Sequence, residues 1–130
     1  MTGAEAAVRA RALDVLGSDA GLAALVHGVF DGTPPRASMP YVSVGNTEGS
    51  DWGTKDVGGR EVRLTLTLHG VGDSRGDGAA ARIETAASAL RGTTDGWTIA
   101  AARVVRTRFA FTREGGWRHE IVVRCRCLEG

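Results

Sequence analysis

Glu61-Val62-Arg63-Leu64-Thr65-Leu66-Thr67-Leu68-His69 alternates apolar and polar residues without a break, the period of a strand with one buried face. Successive side chains of a strand point to opposite sides. Val62, Leu64, Leu66 and Leu68 therefore share an inner face, and Glu61, Arg63, Thr65, Thr67 and His69 an outer one. After a short turn, Ala79, Ala80, Ile83, Ala86, Ala87 and Leu90 recur at steps of three and four, which gives a helix from about Gly78 to Arg91 a single apolar stripe. A greasy strand face followed by a greasy helix stripe predicts a helix laid across a sheet.

The chain has 130 residues and a formal net charge of +1. That length suits one domain, spanning residues 1–130, with a two-layer core, and the charge does not announce a nucleic-acid or membrane binder. Of the basic residues only Lys55 is a lysine. Arginine suits planar, bidentate contacts at interfaces, although a GC-rich coding sequence produces the same bias. No stretch reaches the roughly 20 apolar residues of a membrane span. No basic region leads into an apolar block at the N-terminus, so no secretory signal is expected and the chain is expected in the cytosol of the cell that makes it. Cys125 and Cys127 are the only cysteines; side by side along one strand they cannot readily adopt disulfide geometry, and buried thiols are expected.

From the N-terminus, residues 3–16 are alanine-rich and predict a helix, with Gly17 placed to end it in a left-handed cap. Ser18 then reads as the N-cap of a short helix, Asp19 to Val26, with Leu22, Leu25 and Val26 on one side. Asp31-Gly32-Thr33-Pro34-Pro35 excludes helix and central strand, because proline lacks a donor and restrains its neighbour. Pro40 to Gly45 reads as a short strand with Val42 and Val44 inward. Asn46 to Gly59 has no periodicity and reads as a long polar loop, and loops of that length are usually functional. Asp73 to Asp77 offers a turn with a choice of helix N-caps, Gly92 closes the helix, and Thr94-Asp95-Gly96 is a turn. Residues 103–112 alternate again, with Val105, Thr107, Phe109 and Phe111 on one face and Arg106, Arg108, Ala110 and Thr112 on the other. Arg113-Glu114-Gly115-Gly116 marks a hairpin. The return strand, Trp117 to Leu128, carries Ile121, Val123, Cys125 and Cys127 inward and Glu120, Val122, Arg124 and Arg126 outward. The expectation is an α+β fold: a mostly antiparallel sheet of about four main strands, with helices packed on one face.

Residue chemistry gives no catalytic, cofactor-binding or metal site. His27, His69 and His119 belong to different elements. Cys125 and Cys127 supply at most two of the four ligands of a structural zinc, and His119 lies roughly 20 Å along the same strand at about 3.3 Å per residue. Gly70-Val-Gly72 and Gly76-Asp-Gly78 stand between strand and helix but match neither the dinucleotide nor the P-loop pattern. The aspartates around them lack the calcium-loop spacing.

The candidate contact residues are instead Arg63, Arg106, Arg108, Arg124 and Arg126, which the alternation places on one non-core sheet face, partly offset by Glu61 and Glu120. Such a face is either simply solvated or an interface for a second subunit or for phosphates. With few aromatics it lacks the stacking platform of a sequence-reading RNA binder, which ranks subunit contact above nucleic-acid recognition. In the loop, Asp51, Trp52 and Lys55 complete the candidate interface. Trp52 either tucks onto its own domain or anchors a partner.

The order of parts adds a family resemblance. The alanine-rich first helix leads into Leu16 to Val26 (LGSDAGLAALV), Val29 to Pro35 (VFDGTPP), Met39 to Gly45 (MPYVSVG), the loop with Asp51-Trp52, Gly59 to Leu66 (GREVRLTL), an alanine-rich helix and Arg103 to Phe109 (RVVRTRF). Over about residues 4–128 the chain resembles the tail completion, or tail terminator, proteins of long-tailed phages and of alphaproteobacterial gene transfer agents. The resemblance implies an α+β subunit, with no enzymatic role, that forms a hexameric ring on the head-proximal end of the tail tube, within the phage or gene-transfer-agent particle. Its implied partners are other copies of itself, the major tail tube protein and the head-completion or stopper protein of the neck, with DNA passing transiently through the lumen and no membrane involved. Another minor tail or head–tail connector protein is the alternative, and a small enzyme ranks below both. Where relatives often carry a tryptophan followed by serine at the end of the central strand, this chain has His69-Gly70-Val71, so no role of that tryptophan carries over.

Overall fold

The computed structural model describes residues 3–130. In chain order its elements are α1 (Ala4–Gly17), α2 (Ala20–Ala23), β1 (Val29–Asp31), β2 (Tyr41–Asp51), β3 (Gly59–Val71), α3 (Asp77–Ala87), β4 (Gly92–Thr94), β5 (Trp97–Phe111) and β6 (Gly116–Glu129). The strands form one sheet in the order β1-β2-β3-β6-β5-β4. Among the described residues only the β1–β2 pair is parallel. The class is therefore α+β, with six strands where about four were expected. β1 and β4 are three residues each, too short to display an alternation.

Leu64, Leu66 and Leu68 of β3 and Ile121, Val123, Cys125 and Cys127 of β6 are buried together with Val8 and Leu16 of α1 and Ile83 of α3. α1 lies against β2 and β3, and α3 against β5 and β6. The helices thus cover one sheet face and leave the other open. Apolar stripes, more than helix propensity, hold these elements in place, since short isolated helices are marginal in water. The predicted α3 stripe is buried throughout, but the α-helix stops at Ala87 and a 3₁₀ turn, Ser88–Leu90, carries Leu90 into the core. Both cysteines are free and buried. Desolvation pushes the Cys125 thiol up to about 12 and the Cys127 thiol up to about 11.

Several local expectations are corrected. Gly17 stays within α1, and the cap is Ser18 in right-handed geometry. The N-cap of α2 is Asp19, whose carboxylate accepts from the Leu22 amide at 2.9 Å. That helix ends at Ala23, leaving Leu25 exposed. At α3 none of the candidate polar side chains caps the helix; Gly76 does so, at φ 67°. Glycine tolerates this left-handed geometry, and it also brings the backbone close to Trp117: a Cβ there would lie 2.4 Å from the indole. The expected turns at Asp95-Gly96 and Gly115 are present, all three residues having positive φ.

Two corrections bear on function. The segment Asn46 to Gly59 is not a loop throughout: β2 continues to Asp51, pairing Thr47 with Leu64 and Asp51 with Arg60, and only residues 52–58 connect it to β3. A register shift between Val44 and Thr47 breaks the alternation. Beyond it the strand is polar on both faces, which hides it from periodicity. In β5, a second shift between Val104 and Arg106 moves Val105 off the inner face, where strict alternation put it. A bulge inserts one unpaired residue and flips the parity of the residues before it, here back to a further shift between Ile99 and Ala101. Val104 and Ala102, paired to Val123 and Cys125, take the inner positions.

Candidate interaction face

Cross-strand partners share a sheet face, so the register fixes which charges lie together on the open side. From β3 comes Arg63, from β6 Arg118, Arg124 and Arg126, and from β5 Arg103, Arg106 and Arg108. Against these seven arginines stand three glutamates, Glu48, Glu61 and Glu120. Glu48, Arg63, Arg124 and Arg103 stand in one row across four adjacent strands. Like charges directly opposite one another weaken a sheet, yet three occur side by side here.

Glu61 is the hub of what neutralisation exists. Its carboxylate lies 3.2 Å from Arg126, 3.9 Å from Arg124 and 4.0 Å from Arg63. Arg118 pairs with Glu120 at 3.3 Å. Among the described residues, Arg103, Arg106 and Arg108 have no ion-pair partner, and neither has Glu48. The helix side differs: Arg9 pairs with Asp31, Arg60 with Glu5 at 2.8 Å and Arg82 with Asp19 at 2.9 Å. The Arg60 hydrogen bond holds the Glu5 carboxyl below its ordinary range. A polar basin of about 350 Å³ lies across the open face, lined by Asn46, Glu48, Arg63, Thr65, Val105, Arg106 and Val122.

The sequence-derived candidates are brought together unequally. Arg63, Arg124 and Arg126 surround one carboxylate, Arg106 lines the basin beside Arg63, and Arg108 lies opposite Glu120. Trp52 resolves toward its own domain: it is half-buried, with the Arg126 guanidinium 5.3 Å from its ring centre, a cation–π contact. Asp51 ends β2 and accepts weakly from Gly53 N at 3.4 Å. Lys55 sits exposed in the connection and joins no cluster. Arg103 and Arg118 were not among the sequence candidates. The β5 bulge hides Arg103, whereas the Arg118-Glu120-Val122 alternation already points Arg118 outward.

At one end of the same face His69 stacks on Tyr41, ring centres 4.5 Å apart, with its Nε2 2.9 Å from Ser43 Oγ. Burial, and secondarily the Arg118 charge, lower its pKa below 6.5. Among the described residues no group of three or more His, Cys, Asp or Glu could hold a metal ion, and no helix is long and apolar enough to cross a membrane.

Fold and face together define a class: a two-layer α+β subunit whose unmatched charge is spread over an open sheet face. The particular family follows from comparison. The profile of the tail completion protein gp17 family matches residues 7–128, and the chain belongs to that family, whose members are structural proteins of virion tails. Among solved structures it is similar to a chain of the virion of a native gene transfer agent particle, at 25% identity and a TM-score of 0.85, covering 99% of this chain and 100% of that one. No curated protein matches.

Proposed function

We propose that this chain is a tail terminator: copies of it close into a hexameric ring on the head-proximal end of a tail tube. The ring stops tube polymerisation, offers its other side to the head-completion or stopper protein of the neck, and leaves a lumen for DNA. It works by complementary binding without turnover, so it is not an enzyme. It assembles in the bacterial cytoplasm and is carried in the particle, here a gene transfer agent or a phage. The observation that carries the reading is the end-to-end correspondence with a chain of a gene transfer agent particle.

The geometry supports a role in contact. Arg63, Arg106, Arg108, Arg124 and Arg126 form a contact surface, with Arg106 and Arg108 on the strand at its subunit-facing edge, and the end of β2 at Asp51 with the following connection, where Lys55 is exposed and Trp52 packs under Arg126, is the element offered to the neck. A closed ring makes each contact once per subunit, so individually weak contacts add to a firm cap. Deleting the gene in a producing strain should yield tails of uncontrolled length without heads, and imaging of wild-type particles should place the protein at the tube–neck junction. Normal tails from the deletion strain, or a location elsewhere on the tail or neck, would replace this reading by that of another minor tail or connector protein.

A further inference from the structure

Among the described residues the sheet has two strand edges that no other strand pairs over much of their length. β4 covers β5 only over Trp97–Ile99, leaving the edge of β5 from Ala100 to Phe111 open. β1 covers β2 only over Val42–Val44, leaving Asn46 to Asp51 open at the other side of the sheet. Backbone N–H and C=O groups along such edges are templates for another strand. Beside the β2 edge an open cleft of about 700 Å³ is lined by Val44 to Glu48, Arg9, Gly32 and Thr33; Arg9 donates to the Val44 and Gly45 carbonyls at one end of it, and the edge from Asn46 onward is the free part.

The two edges differ in sign. On the open face the β5 edge carries Arg103, Arg106 and Arg108 and the β2 edge carries Glu48, with Asp51 further along β2 on the helix side; among the described residues none of the five has an ion-pair partner. Bulges and charges do protect edges against random pairing, but protection works with either sign on both edges. Opposite signs on opposite edges of one chain suit a second copy. Direction also agrees. Three antiparallel steps separate β2 from β5, so these strands run oppositely, and a copy carried round a ring axis would bring its β2 antiparallel to the β5 of its neighbour.

We infer that the subunits join edge to edge, the open half of β5 of one copy pairing antiparallel with the open half of β2 of the next, so that the sheets run continuously round the ring. This rests on the ring reading and names its contact. Because the contact is head-to-tail, each subunit uses one edge of each kind, and the association closes only as a ring.

A charge-swap mixing experiment tests it. Arg106→Glu/Arg108→Glu reverses the β5 edge, and Glu48→Arg/Ser50→Arg reverses the β2 edge. Each variant is checked for native far-ultraviolet circular dichroism, with single Arg106→Glu and Glu48→Arg replacing any double variant that misfolds. Sedimentation velocity and particle complementation then report assembly. Each variant alone should lose the wild-type oligomer and at least tenfold in particle yield. An equal mixture should restore both, because alternating copies put opposite signs at every junction. Folded variants that assemble normally, or a mixture that stays as defective as its parts while wild type forms rings, overturn the edge contact and leave the ring reading standing. Wild type that forms no ring either in solution or on tails overturns both.

Discussion

Arg124→Gln separates the needs of the free subunit from those of its assembly. Arg124 stands between Arg63 and Arg103 on the two flanking strands, and its side chain is 23% exposed. Strands lie about 4.8 Å apart, and flexible guanidinium groups can splay to about 8 Å. Two unit charges at about 8 Å in water repel by about 0.5 kcal/mol, and screening at physiological salt reduces this to about 0.2 kcal/mol. Two such repulsions disappear in the variant. What is lost is one ion pair to Glu61 at 3.9 Å, worth about 0–1 kcal/mol for a solvent-accessible pair, and Glu61 keeps Arg126 and Arg63. Glutamine retains most of the aliphatic stem. The free subunit should therefore be within about 0.5 kcal/mol of wild type, on the more stable side at low salt, with the difference vanishing near 1 M salt, where the Debye length is about 3 Å. Urea midpoints at low and high salt measure this, while particle yield should fall. A variant less stable than wild type by more than about 1 kcal/mol at low salt would refute the idea that this row is internally unfavourable and needs an external partner.

Gly70→Ala puts a Cβ 2.1 Å from the buried indole of Trp117; overpacking of that kind costs about 1–3 kcal/mol or more, and an unchanged urea midpoint would show that the indole can move aside. For His69 the folded state binds the proton less readily than the unfolded chain, so stability should fall as pH drops through 6.5 toward the lowered value. His69→Gln should flatten that slope in melts at pH 7.5 and 5.5, and identical slopes in both proteins would remove His69 as the cause. Cys125 and Cys127, buried and with raised pKa values, should resist a disulfide thiol reagent at pH 8 until urea opens the core. Fast labelling of the native protein would contradict that burial.

Membership of the tail completion family explains why the informative surface is a face and not a pocket. The inner side of β3 does what any core strand does, and Leu64, Leu66 and Leu68 hold it against the helices. Its outer side belongs to a patch with contributions from β2, β5 and β6, and the charge there is left unbalanced within the subunit.

Much of this was legible in the chain alone. Period-2 alternation fixed both faces of β3 and β6, and the three-and-four spacing fixed the α3 stripe, because burial imposes those periods directly on residue choice. Where a bulge intervened the sequence misled: strict counting through β5 put Val105 inward and concealed Arg103, and the bulge in β2 made a strand look like a loop. Nothing local in a sequence distinguishes one inserted residue from ordinary irregularity, since its parity is set by hydrogen bonds to a neighbouring strand. Residue types and the inner faces of the strands without bulges, β3 and β6, were thus determined by the sequence. Which arginines stand side by side, which carboxylate they share and which strand edges are left open depend on pairings between residues as far apart as Glu48, Arg63, Arg103 and Arg124, and only the tertiary structure decided those.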